Sequence, residues 1–387
     1  MADPKILLDL TPLVTVSSLR GIGRYVRGLV RGLSELPRTE ALDVRGVAAS
    51  PSVLSLELVD DLLEYCARPA FPPRNSASFL RNQQAGRPAQ RLAKREGRLL
   101  HLTDPKGLPL TTQTPYTLSC HDLIPLVLHK EYLPRVPHWD KLYRALQLVR
   151  YHRPRRILAC SHSTKRDLCE RLDVREELVD VVWYAVDHAV FNATQSERER
   201  ERVLPVTGEG PFVLYMGAGD VRKDLGTLVT AFATSRLRSE ARLIIAGNIG
   251  ASRTKLLSAQ CQGLGVSERV KLCGYVDESL VPALYRQAAL HVFPSRYEGF
   301  GFPVLEALAA GAPTITSPGS SLDEVAGDAA LIVPCGEPDA LRQAMESLFF
   351  DHERARDLRE RGLRRANEFT WRACAEGTVA FWRRAAA

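Results

Sequence analysis

A chain of 387 residues exceeds what one hydrophobic core ordinarily organises, and predicts two domains. Its composition, 45% apolar and 25% charged, is that of a soluble globular protein, with no apolar run near the ~20 residues of a membrane-spanning helix. The net charge of +7 admits anionic partners, but no basic motif with interleaved aromatics supports a nucleic-acid-binding class.

Apolar runs of strand length alternate with amphipathic helical stretches along the whole chain. In the first half, strands are expected at Ile6–Asp9, Leu42–Val47, Leu99–Leu102, Thr117–His121, Arg156–Ser161 and Asp180–Trp183, with a helix over Tyr25–Leu36. The charged stretch Asn192–Gly210, closing on Pro205-Val206-Thr207-Gly208-Glu209-Gly210, has the composition of a linker. Beyond it, strands are expected at Phe212–Met216, Arg242–Ala246, Val270–Cys273, Leu290–Phe293, Thr314–Thr316 and Leu331–Val333, with helices over Leu225–Thr234 and Pro338–Phe350. Glu368-Phe369-Thr370-Trp371 opens a last helix running to Ala387, with Trp371, Ala375, Val379 and Trp382 near helical spacing. This alternation predicts an α/β fold of parallel sheets covered on both faces. The expected division is 1–195, a linker 196–210, a second domain 211–370 and the helix 371–387.

The eight cysteines are scattered, with no C-x-x-C pair, and read as small buried hydrophobes in a reducing compartment. Asp3 and Asp9 interrupt the N-terminal apolar stretch, so no secretory signal is expected and the cytoplasm is the expected location. Positive charge gathers in two places. Between Arg68 and Arg98 stand eight Arg or Lys against one acid, Glu96, and a second group is Arg150, Arg153, Arg155 and Arg156. Either patch suits a solvated loop, an anionic acceptor or peripheral contact with a membrane face.

The most informative segment follows the strand Leu290–Phe293. In Ser295-Arg296-Tyr297-Glu298-Gly299-Phe300-Gly301-Phe302-Pro303-Val304-Leu305-Glu306, a glycine-bearing loop opens a helix with proline near its first turn. Backbone N–H groups at such a helix start favour an anion. The carboxylates Glu298 and Glu306 would repel a phosphate, so they suit neutral hydroxyls. An anion plus several hydroxyls describes a nucleotide sugar. Upstream, Met216-Gly217-Ala218-Gly219-Asp220-Val221-Arg222-Lys223 ends a strand in a glycine loop with two cations, at the strand end where open α/β sheets bind ligands. In the first half, Gly21-Ile22-Gly23 opens a helix after the first strand, and Ser119-Cys120-His121-Asp122-Leu123-Ile124-Pro125 ends another. Ser161 or Ser163 caps the helix beginning at Ser161-His162-Ser163-Thr164-Lys165.

Glu298 and Glu306, with Gly299-Phe300-Gly301-Phe302-Pro303 between them, resemble the E-x7-E signature of retaining glycosyltransferases of the GT-B fold, and of family 4 in particular. Gly311-Ala312-Pro313-Thr314, Leu322-Asp323-Glu324-Val325 and Gly327-Asp328-Ala329-Ala330-Leu331 continue that pattern. The resemblance implies two facing Rossmann-like domains with a deep inter-domain cleft, and a last helix crossing back to the N-terminal domain. It implies a nucleoside-diphosphate sugar, UDP- or GDP-linked, as donor substrate, and no cofactor or metal. The sugar would pass with retained configuration to a saccharide, lipid or aglycone acceptor. It further assigns Arg222 and Lys223 to the leaving diphosphate, Glu298 to the transferred sugar, Glu306 to the ribose and His121 to sugar and acceptor. Gly21, Gly23, Gly217, Phe300, Gly301, Phe302 and Leu305 would line the donor site. Val276 would hold the base through backbone groups, and uracil and guanine both fit. Two other classes stay open: a GT-B sugar-nucleotide epimerase, and a nicotinamide oxidoreductase, although Val26 stands where the latter needs its third glycine.

Overall fold

The computed structural model describes residues 3–37, 40–50, 55–67, 79–105, 114–132, 137–195 and 197–387. The chain divides into two compact units: Met1–Ala185 with Phe369–Ala387, and Val186–Glu368. Among the described residues, the first holds a sheet of seven strands and the second a sheet of six.

In the first unit the strands are β1 (Ile6–Asp9), β2 (Val44–Ser50), β3 (Ser55–Val59), β4 (Leu99–Leu102), β5 (Tyr116–Cys120), β6 (Ile157–Ala159) and β7 (Val179–Val181). Their spatial order is β3-β2-β1-β4-β5-β6-β7, parallel except for β3. Runs such as Ile6-Leu7-Leu8 and Leu99-Leu100 are buried throughout because helices cover both faces of a parallel sheet. The β2–β3 hairpin was not expected: Ser55-Leu56-Glu57-Leu58-Val59 is a short edge strand with Leu58 exposed, so it lacks the continuous apolar run of its neighbours.

Helix α1 (Gly21–Ser34) and the last helix, Trp371–Ala386, pack together within this unit. Thr370 caps the latter, its hydroxyl accepting from Ala373 N–H, and Ala375, Val379 and Trp382 are buried. Close approach needs glycine on the facing helix. A Cβ at Gly28 would lie 2.1 Å from the Trp371 ring, and one at Gly32 2.1 Å from the Trp371 carbonyl.

The second unit contains β8 (Phe212–Met216), β9 (Arg242–Ala246), β10 (Val270–Gly274), β11 (Leu290–Phe293), β12 (Thr314–Thr316) and β13 (Leu331–Ile332), in the order β10-β9-β8-β11-β12-β13, all parallel. Its core joins Phe212, Leu214, Ile244, Leu284 and Tyr285 with Ala307 and Ala310. The stretch read as a linker instead holds a helix, Glu197–Thr207, whose Val203 is buried in this core. Arg286 holds the segment down: it donates to both carboxylate oxygens of Glu199 (2.9 and 2.5 Å) and to the Asn192 carbonyl (3.0 Å).

Each sheet reverses its winding once, between β1 and β4 in the first unit and between β8 and β11 in the second. The carboxyl ends of strands flanking such a reversal diverge and leave a crevice, the usual ligand position in open α/β sheets.

Candidate active site

The reversal in the second unit gathers the charged residues that the sequence singles out. Arg222 and Lys223 lie on the turn after β8, and Glu298 lies on the loop after β11. The two loops are tied through backbone, Arg296 N–H donating to the Arg222 carbonyl at 2.8 Å. Lys223 Nζ donates to Glu298 Oε1, and Arg222 Nη2 donates to Oε2 at 3.3 Å. Arg222 Nε also donates to the Tyr297 carbonyl at 3.0 Å. Ser295 Oγ donates to Glu298 Oε1 at 2.5 Å, and Ser321 Oγ to the Glu298 carbonyl at 2.9 Å. The Lys223 ammonium also stands 4.4 Å from the centre of the Phe293 ring.

Lys223 and Glu298 are 6% and 8% exposed, so their charges depend on each other. Burial pushes the Glu298 carboxyl up, but Lys223, Arg222 and the Ser295 hydrogen bond outweigh it and hold it below its ordinary range. Burial pulls the Lys223 ammonium down, with Glu298 opposing and Arg222 adding to the fall. The contact is an ammonium–carboxylate pair, because Glu298 faces two cations and Lys223 keeps its anion. Asp220 completes the cluster, 3.1 Å from Arg222 Nη1 and accepting from Arg222 N–H at 3.1 Å.

The loop glycines have steric reasons. Gly301 caps the helix Phe302–Ala310 with φ +106°, and a Cβ there would lie 2.7 Å from Leu322 Cδ2. Behind it, Glu306 is 3% exposed and accepts from the Tyr285 hydroxyl at 3.3 Å. Phe300 and Leu305 are buried, and the half-buried Phe302 meets Phe300 edge to face at 5.3 Å. A Cβ on Gly217 would meet the Tyr215 hydroxyl at 2.9 Å. Val276 is half-buried, next to Tyr275, which is 74% exposed.

The remaining expected residues belong to the first unit. Gly21 is exposed at the start of α1. Gly23 has an internal reason for being glycine, since a Cβ would lie 2.4 Å from the Ser18 carbonyl oxygen. Val26 is buried, so α1 presents no third glycine to a dinucleotide. His121 is half-buried at the end of β5, with Nε2 2.5 Å from the Thr103 carbonyl and Nδ1 2.5 Å from the Tyr184 hydroxyl. A hydrogen bond from its ring to a substrate therefore requires exchange of one of these partners. Ser161 is the cap of its helix, accepting from Thr164 N–H at 3.0 Å, and Lys165 pairs with Glu176 at 3.3 Å.

The second basic patch is partly engaged in the fold, as is Arg98 of the first, whereas Arg87, Arg91, Lys94 and Arg95 are exposed. Arg98 pairs with Asp43 (2.9 Å) and Glu96 (3.0 Å), Arg156 with Asp180 (2.7 Å), and Arg155 donates to the Ala385 carbonyl. Arg150 is buried. Residues 68–78 of the first patch lie outside the described residues. Among the described residues no helix is long and apolar enough to cross a membrane. The eight cysteines are free thiols.

Sequence reasoning passed over Ser295, Asp220 and Tyr285. Ser295 stands three residues before Glu298, and Asp220 two before Arg222 in an Asp-x-Arg turn, so both left a local signal. Tyr285 reaches Glu306 from another helix, and left none.

The family description "Glycosyl transferases group 1" matches residues 196–365, and "Glycosyltransferase Family 4" matches residues 19–190. A serotype-specific mannosyltransferase, WbdA of Escherichia coli, is 29% identical over 258 residues, 65% of this chain and 31% of that protein. The chain thus spans about a third of the length of that curated relative. Among solved structures, sucrose-phosphate synthase from Thermosynechococcus elongatus superposes with a TM-score of 0.75 at 21% identity, covering 98% of each chain. Anabaena HepE in complex with UDP and glucose gives 0.72 at 17%, covering 97% of this chain and 98% of that one. At such identities the structural likeness establishes the fold, and the family descriptions account for both halves of the sequence. The chain belongs to the group 1 glycosyltransferases of the GT-B fold.

Proposed function

We propose that this chain transfers a hexosyl group from a nucleoside-diphosphate sugar to an acceptor hydroxyl, with retention of configuration and without a metal. The observation that carries the reading is the cluster of Arg222, Lys223 and Glu298 at the winding reversal of the second unit. Two cations held on a short turn suit a departing diphosphate, whose charge grows as the glycosidic bond breaks. N–H groups at the start of Phe302–Ala310 add to that stabilisation. Glu298 keeps the cations fixed before substrate arrives, so little reorganisation is needed at the reacting step. Its ionised carboxylate has acceptor capacity beyond the groups it already holds, which suits a sugar hydroxyl. Glu306 suits the ribose, oriented by Tyr285. Without an enzyme nucleophile behind the anomeric carbon, the acceptor attacks from the leaving-group face and the diphosphate takes its proton. His121, in the first unit, orients the acceptor.

UDP and GDP sugars both suit the donor site. HepE supports the first through its UDP complex, and the name of the WbdA relative favours a mannosyl group. The reaction is placed on the cytoplasmic side, with a saccharide, lipid or aglycone as acceptor.

The test is a donor screen across UDP-, GDP- and dTDP-sugars, by calorimetry and by product analysis with and without an added acceptor alcohol. Transfer to the alcohol supports the reading; an isomerised donor with no transfer replaces it with an epimerase. Arg222→Ala/Lys223→Ala is expected to lower turnover by about 100-fold or more, the scale of losing transition-state charge stabilisation. Wild-type turnover and diphosphate affinity in that variant would remove the cations from the mechanism.

A further inference from the structure

A second polar network runs through the first unit beneath His121. His101 is fully buried, and burial brings its pKa down to about 3, so the ring is neutral. It bonds Thr117 Oγ1 through Nδ1 (2.9 Å) and Ser119 Oγ through Nε2 (3.1 Å). Ser119 Oγ lies 3.0 Å from the Tyr25 hydroxyl, and the Tyr25 ring stacks on Tyr184 at 4.3 Å. Tyr184, 2% exposed, then places its hydroxyl 2.5 Å from His121 Nδ1.

The His121 ring is held on its other side as well. Its Nε2 faces the Thr103 carbonyl at 2.5 Å, and Thr103 is itself fixed by donating Oγ1–H to the Asp9 carbonyl at 2.7 Å. Cys160 donates its S–H to the His121 carbonyl at 3.1 Å. A carbonyl oxygen only accepts, so the proton on this side belongs to Nε2. In the neutral ring the one lone pair is then on Nδ1, positioned to accept from Tyr184 O–H. Burial drives the Tyr184 phenol well above its ordinary range, so that proton stays on oxygen.

We propose that Tyr184 is a positioning residue for the transfer reaction: when Nε2–H leaves the Thr103 carbonyl for a substrate oxygen, the Tyr184 hydroxyl on Nδ1 keeps His121 in the Nε2–H tautomer, so that His121 meets the substrate as a hydrogen-bond donor and never as its base. The ring is half-buried, and Nε2–H reaches a substrate hydroxyl by giving up the Thr103 carbonyl. Proton removal from the acceptor is then left to the departing diphosphate. The inference rests on the reading of His121 as a substrate contact.

The test joins a spectroscopic and a kinetic measurement on the full chain. Nitrogen-15 NMR of labelled histidine, with the His121 signals assigned by loss in His121→Gln, is expected to show an Nε2–H ring in the wild type. In Tyr184→Phe, which keeps the ring stacked on Tyr25, only the Thr103 carbonyl is left to hold Nε2–H, so the Nδ1–H tautomer should gain population and the two should mix. Turnover should fall about tenfold or more, while nucleoside-diphosphate affinity stays within about twofold, as expected for lost orientation. His121→Gln can place an amide N–H near the Nε2 position, whereas the shorter His121→Asn reaches only the Nδ1 position, so the first should turn over faster. An unchanged tautomer in Tyr184→Phe overturns the proposal whatever the activity. A mixed tautomer with unchanged turnover also overturns it, and shows that the contact of His121 with substrate has failed. If Tyr184→Phe does not fold, the two His121 variants decide: Asn equal to or better than Gln overturns the donor role.

Discussion

Replacing Glu298 by Gln leaves Lys223 buried beside Arg222 with no carboxylate between them. Burial already lowers the Lys223 pKa, and Glu298 is the main group opposing that fall. Without it the ammonium loses its proton at lower pH, so the alkaline limb of the pH–rate profile in Glu298→Gln should move to lower pH. Stability should drop by about 3–5 kcal/mol, the scale for breaking a buried ion pair from one side. A variant with the wild-type alkaline limb would show that Lys223 does not depend on Glu298. Asp9, buried at the end of β1, gives a prediction of the opposite sign. Burial raises its pKa from 3.8 to about 6, with Thr11 opposing and Asp104 adding. The folded state therefore holds this proton more tightly than the unfolded chain does. The associated stability is complete below pH ~4 and lost as pH rises through ~6, by at most about 3 kcal/mol. Asp9→Asn keeps an acceptor for Thr11 N–H, so its melting temperature relative to wild type should rise between pH 4.5 and 7.5. A difference that is flat with pH would refute this. Glu298, Arg222 and Lys223 stood out because each sits in a glycine-bearing loop at a strand end, although Glu298 lies 75 and 76 positions from the cations it meets. Tyr184 was not: it lies 63 positions from His121, and nothing near it in sequence announces the contact.

At the scale of elements, the pairing of α1 with the last helix turns on the absence of side chains at Gly28 and Gly32. Alanine is the better helix former by about 1 kcal/mol. Yet a Cβ at Gly28 would sit 2.1 Å from the Trp371 ring, and overpacking costs ~1–3 kcal/mol, so Gly28→Ala should destabilise on balance. Trp371→Leu in the same chain should recover part of that loss. A double-mutant cycle in denaturant measures the coupling, and strictly additive effects would mean that the two helices do not meet there. The last helix was legible from the spacing of its apolar residues, and the parallel strands from their apolar runs. Strand boundaries moved by one to three residues where polar flanks such as Arg156 and Ser161 bracket a shorter paired segment. β3 alternates instead of running apolar, and Glu197–Thr207 is so charged that little besides Val203, Val206 and Thr207 marks its inner face.

Taken whole, the molecule keeps the charged residues proposed for donor binding in one continuous stretch. Arg222, Lys223, Glu298 and Glu306 all belong to residues 186–368, which have their own sheet and core. That stretch expressed alone should bind UDP or GDP within about tenfold of the full chain, a difference of ~1.4 kcal/mol. Calorimetry on both proteins checks this, and no binding by a folded fragment would mean that the first unit supplies an essential contact. The first unit is discontinuous, and its last helix follows the entire second unit in sequence. A ribosome working at ~5–20 residues per second needs roughly 10–40 s to cross residues 186–368. Throughout that interval the newly made α1 carries a grooved apolar face, shaped by Gly28 and Gly32, whose covering helix does not yet exist. The second unit can complete its fold during translation, whereas the first must wait. The vulnerable species in the cell is therefore a nascent chain with its second unit finished and its first still open, and this is the form a chaperone has most reason to hold.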